Sequence, residues 1–536
     1  MDRSSVVAVP QATASLKIAA LDASVAAGAP AVAPQRRDVT EYGTRRTFIV
    51  TGVMLAALLQ TLDGTIVNVA LPTIQGNLGA SIDEATWVVT AYIIAAVVVI
   101  PITPWLMNRF GRKQYFVASI AGFTIASLAC GLASSIDELI VFRVIQGIFG
   151  GGLLATSQAI LRDTFPPKQL SLSQAIYTIG AVVGPSFGPT IGGLLTDNVS
   201  WRWVFDVNVV PGVVAIALLV PLLRNPSRQK STRFDGIGLT LLAIGLGSLQ
   251  YVLDEGERNG WFDDGTILAF AIASVVGLVA FVVWEIRGTA HPIVDLRVLS
   301  RRGVAVGCLV ALVNAVVVFG QLFLMPQYLT GVLGFTATQD GLLLAVRAIP
   351  VMLLTIPVGA LVSSGKVDPR LLIAIGLTLA GGGVLGLGFE TTSTTEFGTL
   401  VPYLIATGCG ISLVFTPLLV SVLGSVSPAD SPKAGAFIGL ALNLGGSLAS
   451  ASLVTLLDQR ESFHSTILGA DTTLAHPVVA SAIAHDGLAR VAAIIGRESA
   501  NLSYADTFYA IGAFAIFFAG LAFALPGRKK PAPSTT

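Results

Sequence analysis

One carboxylate, Asp63, stands in the stretch Leu62-Asp63-Gly64-Thr65-Ile66-Val67-Asn68-Val69-Ala70-Leu71-Pro72, which closes an apolar run beginning near Phe48. Counted as helix from Arg46, Asp63 lies about 25 Å along, still at or within a hydrocarbon core of about 30 Å. An ionisable group at that depth requires a partner, a wet cavity or a proton. A carboxylate that exchanges a proton inside a membrane can couple proton movement to other work. Arg143 and Gln146 in a second apolar run are one helical turn apart and share a face. A guanidinium stays charged at any accessible pH. Beside a carboxylate it depresses that group's pKa, whereas burial raises it. The spacing leaves open whether Arg143 meets Asp63 or snorkels to an interface. Three further groups lie in or beside apolar runs. Arg347 is either an anion-binding group or the partner of Asp340, and Asp206 is either a second membrane-proximal carboxylate or exposed at the outer rim.

The rest of the chain says what must position these groups. Of 536 residues, 53% are hydrophobic and 12% charged, with a mean hydropathy of +0.78. A soluble domain carries about 25% charged residues, so the composition predicts an all-α integral membrane protein. The net charge of +1 gives no case for nucleic-acid binding. Cys130, Cys308 and Cys409 all fall in apolar runs without metal-ligand or disulfide spacing. His464, His476 and His485 cluster in or beside one polar stretch and read as solvated, so neither a metal nor a cofactor is expected.

About fourteen apolar runs are long enough to cross a bilayer. With the N-terminus inside, most of the 32 Lys and Arg fall on the inner side, which places both termini in the cytoplasm. The runs divide into a disordered cytoplasmic tail (1–45), an N-terminal six-helix bundle (46–224), two linker helices with a basic cytoplasmic loop (225–303), a C-terminal six-helix bundle (304–525) and a short tail (526–536). Within the C-terminal bundle, 458–506 is expected to be a long extracytoplasmic loop with a surface helix over 478–495.

The fifth run repeats glycine every four residues, at Gly180, Gly184, Gly188 and Gly192, with Pro185 and Pro189 between them. Such a ridge lets helices approach closely in lipid, and the prolines remove backbone donors. It is either a static packing face or a pivot between the two bundles. The thirteenth run carries a weaker echo, Gly435, Gly439, Asn443 and Ser447, predicted to face the partner half.

These stretches together resemble one family. Leu62–Pro72 is similar to the first-helix signature of the fourteen-helix drug:proton antiporters of the major facilitator superfamily, the EmrB/QacA-like multidrug exporters. Arg143-Val-Ile-Gln146-Gly147 resembles the fourth-helix R-x-x-Q-G motif. Gly180 to Gly193 resembles the antiporter motif of the fifth helix, and Trp201-Arg202-Trp203-Val204-Phe205, with Asn208, Pro211 and Gly212, resembles the stretch after it. The resemblance covers about 47–525. It implies a major facilitator fold of two six-helix bundles with two extra helices between them, and proton-driven export by alternating access. It assigns proton coupling or substrate contact to Asp63, Asn68, Arg143 and Gln146, and gating to the glycine ridge. Arg347, Asp206 and Asn443 are secondary candidates. The implied cargo is an amphipathic small molecule, cationic or neutral.

The loop Pro104-Trp105-Leu106-Met107-Asn108-Arg109-Phe110-Gly111-Arg112-Lys113 resembles the facilitator loop between the second and third helices, with two departures. Pro104 replaces a glycine, and Asn108 replaces an aspartate that the family uses in a cytoplasmic charge latch. The latch built on Asn108, Arg109, Gly111 and Arg112 is therefore expected to be weaker or to use another acid. The resemblance further implies a cell (inner) membrane location and a periplasmic adaptor as partner where two membranes exist. A specific metabolite such as a siderophore or fatty acid is the alternative cargo. A membrane-embedded enzyme or sensor is the remote rival, since no catalytic cluster is visible. Gly359 to Lys366 does not meet the phosphate-loop spacing, so the energy source is an ion gradient rather than a nucleotide.

Overall fold

The computed structural model describes residues 40–166, 169–225, 234–289, 292–427, 430–472, 481, 485 and 487–526. Most of the expected N-terminal tail, the final tail and much of 473–486 lie outside them. Fourteen helices among the described residues are long and apolar enough to span a bilayer. The first six are α1 (Gly43–Leu78), α2 (Ile82–Phe110), α3 (Arg112–Leu132), α4 (Ile136–Thr164), α5 (Leu170–Asn198) and α6 (Trp203–Leu222). Two follow, α7 (Gly236–Glu255) and α8 (Gly265–Gly288). The last six are α9 (Arg302–Val332), α10 (Ala337–Ser364), α11 (Pro369–Glu390), α12 (Phe397–Gly424), α13 (Ser431–Asp471) and α14 (Leu488–Ala524).

Local signals set several boundaries. Ser81 and Glu84 form a reciprocal capping box at the start of α2, and Thr336 with Gln339 does the same for α10. Gly79 and Gly365 end α1 and α10 in the left-handed conformation that glycine tolerates best. α4 pauses at Gly151-Gly152, and the backbone N–H of Leu154 donates to the side chain of Gln60 on α1 (2.9 Å). That bond satisfies a donor at the resumed helix start.

One expectation needs correction. The 458–506 segment is not simply a loop: α13 continues to Asp471 and α14 already begins at Leu488. Arg460 and His464 on α13 both reach Asp506 on α14 (2.6 and 2.8 Å), so polar pairs hold these helices together where hydrophobic periodicity fades. Of the surface helix expected at 478–495, only the part from Leu488 on is a described helix, and it is continuous with the last span.

α5 lies along α10 and also touches α12, while α13 packs on α2 and α4, so these pairs form the seam between the two bundles. Towards the end where α1 begins and α14 finishes, the Gly359 position on α10 approaches the Ser171 carbonyl, and Arg162 on α4 donates to the Leu423 carbonyl (3.3 Å). Mid-seam, the Thr178 and Thr416 hydroxyls share a hydrogen bond of 3.2 Å, and Val182, Val318, Val351 and Ile411 cluster together. α7 covers one side of this seam. Trp87 stacks on Tyr251 (5.4 Å), and Gln250 donates to Ser447 on α13 (2.6 Å). α8 packs chiefly on α7, where Gly245 and Gly277 meet backbone to backbone.

Candidate functional site

Asp63 and Arg143 do meet. Both are fully buried, and Arg143 Nη1 donates to Asp63 Oδ2 at 2.6 Å. Gln146 Nε2 and Asn208 Nδ2 donate to Asp63 Oδ1 at 2.9 and 3.0 Å. Arg143 Nη1 also donates to Gln146 Oε1 (2.7 Å), and Nε donates to the Val88 carbonyl (2.9 Å). The guanidinium carbon sits 4.1 Å from the Tyr92 ring centroid, a cation–π contact. Ser127 Oγ accepts from both Gln146 (3.1 Å) and Asn208 (3.0 Å), and donates to the Phe205 carbonyl (2.8 Å). Five of the first six helices thus converge on one carboxylate.

Glycines make this convergence possible. On α4, Gly147 and Gly151 lie against the carbonyls of Tyr92 and Ala96 on α2, each 2.5 Å from where a Cβ would stand. Arg143, Gly147 and Gly151 therefore run in register with Val88, Tyr92 and Ala96, and Arg143 reaches the Val88 carbonyl because the two backbones touch. On α6, Gly212 packs against Thr124 of α3 and brings Asn208 inward.

The α5 ridge faces α1 rather than the second bundle. Gly184 faces Thr61 and Leu62, Gly188 faces Thr65 and Ile66, and Gly192 faces the Ile66 carbonyl, all on α1. Gly180 faces Met54 of the same helix. The ridge, broken only by Pro185 and Pro189, locks α1 on both sides of Asp63 and lies inside the first bundle. Another face of α5, with Ser171, Ala175, Thr178 and Thr190, meets the second bundle. The α13 echo does meet the partner half and linker: Gly435 lies on Gln158 of α4, Gly439 near Ile100 of α2 (3.7 Å), and Ser447 on Gln250. Asn443 donates only to its own helix, at the Gly439 carbonyl (2.9 Å).

Other candidates separate from the network. Asn68 is exposed; five residues past Asp63 it points about 140° away around α1. Asp206 is half-buried beside Gly131, near Arg202, which donates to the Gly131 and Ala133 carbonyls (2.8 and 2.7 Å). Among the described residues Asp206 makes no hydrogen bond to the Asp63 network. Arg347 is buried, and among the described residues it forms no ion pair with Asp340. The expected loop is helical except at Gly111, which adopts φ +90°: Asn108 and Arg109 are exposed at the end of α2, and Arg112 at the start of α3 pairs with Asp163 at the end of α4. Asp163 is thus the acid that Arg112 meets at this junction. Sequence reasoning passed over Ser127, Tyr92 and Asp163. Asn208 stood in a quoted motif without a role.

The described helices, their pairing and the buried Asp63–Arg143 pair define a multi-pass membrane transporter. Residues 53–450 match the family model for the Major Facilitator Superfamily, and the chain belongs to that family, in its EmrB-like branch. It is 36% identical to the multidrug export protein EmrB of Escherichia coli K12 over 79% of this chain and 82% of that protein. It is 33% identical to the fatty acid resistance protein FarB of Neisseria gonorrhoeae over 79% of this chain and 83% of the relative. Among solved structures, the proton:xylose symporter XylE aligns with a TM-score of 0.56 at 13% identity, covering 90% of this chain and 96% of that one. The human organic anion transporter MFSD10 aligns with a TM-score of 0.54 at 15% identity, covering 88% and 99%. These last two likenesses concern the fold alone.

Proposed function

We propose that the protein is a proton-coupled multidrug exporter working by alternating access, with Asp63 as the coupling carboxylate. The observation that carries this reading is the Asp63–Arg143 pair, sealed among five helices. As a carboxylate, Asp63 accepts from three side chains and balances a buried cation. Protonation cancels that balance and leaves Arg143 a buried charge without its counter-ion, a costly state. Movement of α1 against α4 would relieve it, so proton uptake favours a different packing of the same helices. Cargo that binds one packing better than the other shifts the same equilibrium.

The ridge on α5 makes α1 move with α5, and α5 is a seam helix. That supports transmission from Asp63 to the boundary between the bundles. The excess of Lys and Arg on one side supports a cell-membrane protein with cytoplasmic termini. The outward extensions of α13 and α14 are the surface we assign to a periplasmic adaptor. The similarity to EmrB supports drug-like cargo, and that to FarB keeps a fatty acid as an alternative.

The test uses purified protein in sealed vesicles with an imposed pH gradient and a fluorescent amphiphile. Gradient-dependent accumulation is expected, with loss in Asp63→Asn. Unchanged accumulation after collapse of every gradient would refute the proposal.

A further inference from the structure

The two bundles treat their buried charges differently. In the first, Arg143 has its carboxylate. In the second, Arg347 lies 1% exposed, and among the described residues its hydrogen-bond acceptors are neutral oxygens: Gln321 Oε1 at 3.0 Å and the Val318 carbonyl at 3.2 Å. Ten residues into α10, it stands about 15 Å from the helix start, at mid-bilayer depth. Asp340, seven residues earlier on the same helix, is within electrostatic reach but makes no ion pair with it, and among the described residues its Oδ1 has no hydrogen-bond partner. A mid-membrane guanidinium with no carboxylate in hydrogen-bonding contact is a costly arrangement.

A second observation points the same way. Gln321 is fully buried, and its Nε2, beside the oxygen that accepts from Arg347, has no hydrogen-bond partner. An amide donor and a guanidinium therefore sit side by side, both lacking an anionic acceptor. This is the donor set that reads a planar oxyanion through two parallel charge-assisted hydrogen bonds. Two turns along the same face of α9, Asn314 is buried with both amide atoms unpartnered. The location suits a transported group. The carbonyl that binds Arg347 belongs to Val318, whose side chain packs in the seam cluster with Val182 of α5.

We propose that Gln321 and Arg347 form a subsite for the acidic head, a carboxylate or similar oxyanion, of an amphipathic cargo. The inference rests on the exporter reading for its cargo but not for its binding. It widens the cationic or neutral cargo expected from resemblance.

The test separates the two. Full-length protein in phosphatidylcholine nanodiscs, without any gradient, is titrated with dansyl-undecanoate and with a dansyl-labelled alkyl-trimethylammonium of matched length. The wild type is expected to bind the carboxylate. In Arg347→Gln the ratio of carboxylate to ammonium affinity is expected to fall about tenfold or more, the scale of a lost charge-assisted bond. Arg347→Lys should fall between the two, and Gln321→Leu should lower the ratio with the charge intact. Absence of carboxylate binding in the wild type, or an unchanged ratio in all three variants, overturns the subsite. Vesicle transport of the same probes reports on the exporter reading separately. Carboxylate bound in nanodiscs with neither probe moved by a pH gradient would sink that reading and leave the subsite standing.

Discussion

Asp63 owes its place to a balance of neighbours rather than to its own helix. Three donors from α4 and α6 converge on two oxygens, and the arginine among them is further held by a carbonyl and an aromatic face. Removing one member of such a pair costs more than the pair is worth, because the survivor keeps its charge in a low dielectric. Arg143→Ala is therefore expected to destabilise the protein by about 3–5 kcal/mol, read as a lower midpoint of thermal unfolding in detergent. Arg143→Lys keeps the charge but loses the fork that serves Asp63, Gln146 and Val88 together. It should retain the fold and lose most gradient-driven transport; full transport in that variant would contradict the role given to the guanidinium. Asn208→Ala should retain the fold and lower gradient-driven transport, since it removes one of the three side-chain donors that hold Asp63 in place; unchanged transport would contradict that role.

At the scale of elements, close backbone approach does the positioning. A Cβ at Gly184 would collide with the Thr61 side chain and stand 2.8 Å from the Leu62 backbone nitrogen, which cannot turn aside. Gly184→Val should cost at least about 1–3 kcal/mol from overpacking and displace Asp63. The same substitution at Gly382, where a Cβ meets nothing within 4 Å, should leave stability nearly unchanged. Comparing the two unfolding midpoints checks the claim. Asp430 at the start of α13 belongs to an ion cluster outside the spans, with Arg301 at 3.0 Å and Lys433 at 3.1 Å, and Lys433 also binds Asp295 at 2.8 Å. Burial works against its charge. Hydrogen bonds from Ser427 and Lys433, and the two cations, nevertheless hold its carboxyl below the ordinary range. A depressed folded pKa contributes stability that is present above the ordinary carboxylate value and lost as pH falls through the folded one. Asp430→Asn should therefore lower the unfolding midpoint at neutral pH and flatten its decline in acid.

At the scale of the whole molecule, motion between the bundles must break the seam somewhere. The Gln158 side chain of α4 lies against Gly435 of α13 towards the end where α1 begins and α14 finishes. A Gln158→Cys, Gly435→Cys double variant should cross-link under oxidation, halt transport and recover with a reductant. Undiminished transport in the fully cross-linked protein would mean that the bundles do not part there.

The apolar runs determined the span count, because covering a bilayer needs about twenty apolar residues whatever the neighbours are. Charge asymmetry suggested their orientation, and the Asp63, Arg143 and Gln146 spacings marked the chemistry. What a one-dimensional pattern lacks is azimuth between helices. A four-residue glycine period reports a smooth face without saying which helix lies on it, so the α5 ridge could not be told apart as a clamp on α1 or a lining of the seam. The same gap hid Ser127 and Asp163, ordinary polar residues that matter only because other helices bring acceptors and cations to them. It also hid the contrast between Arg143 and Arg347. Each arginine is one letter in an apolar run, and only three-dimensional packing decides which one receives a carboxylate and which is left to find an anion elsewhere.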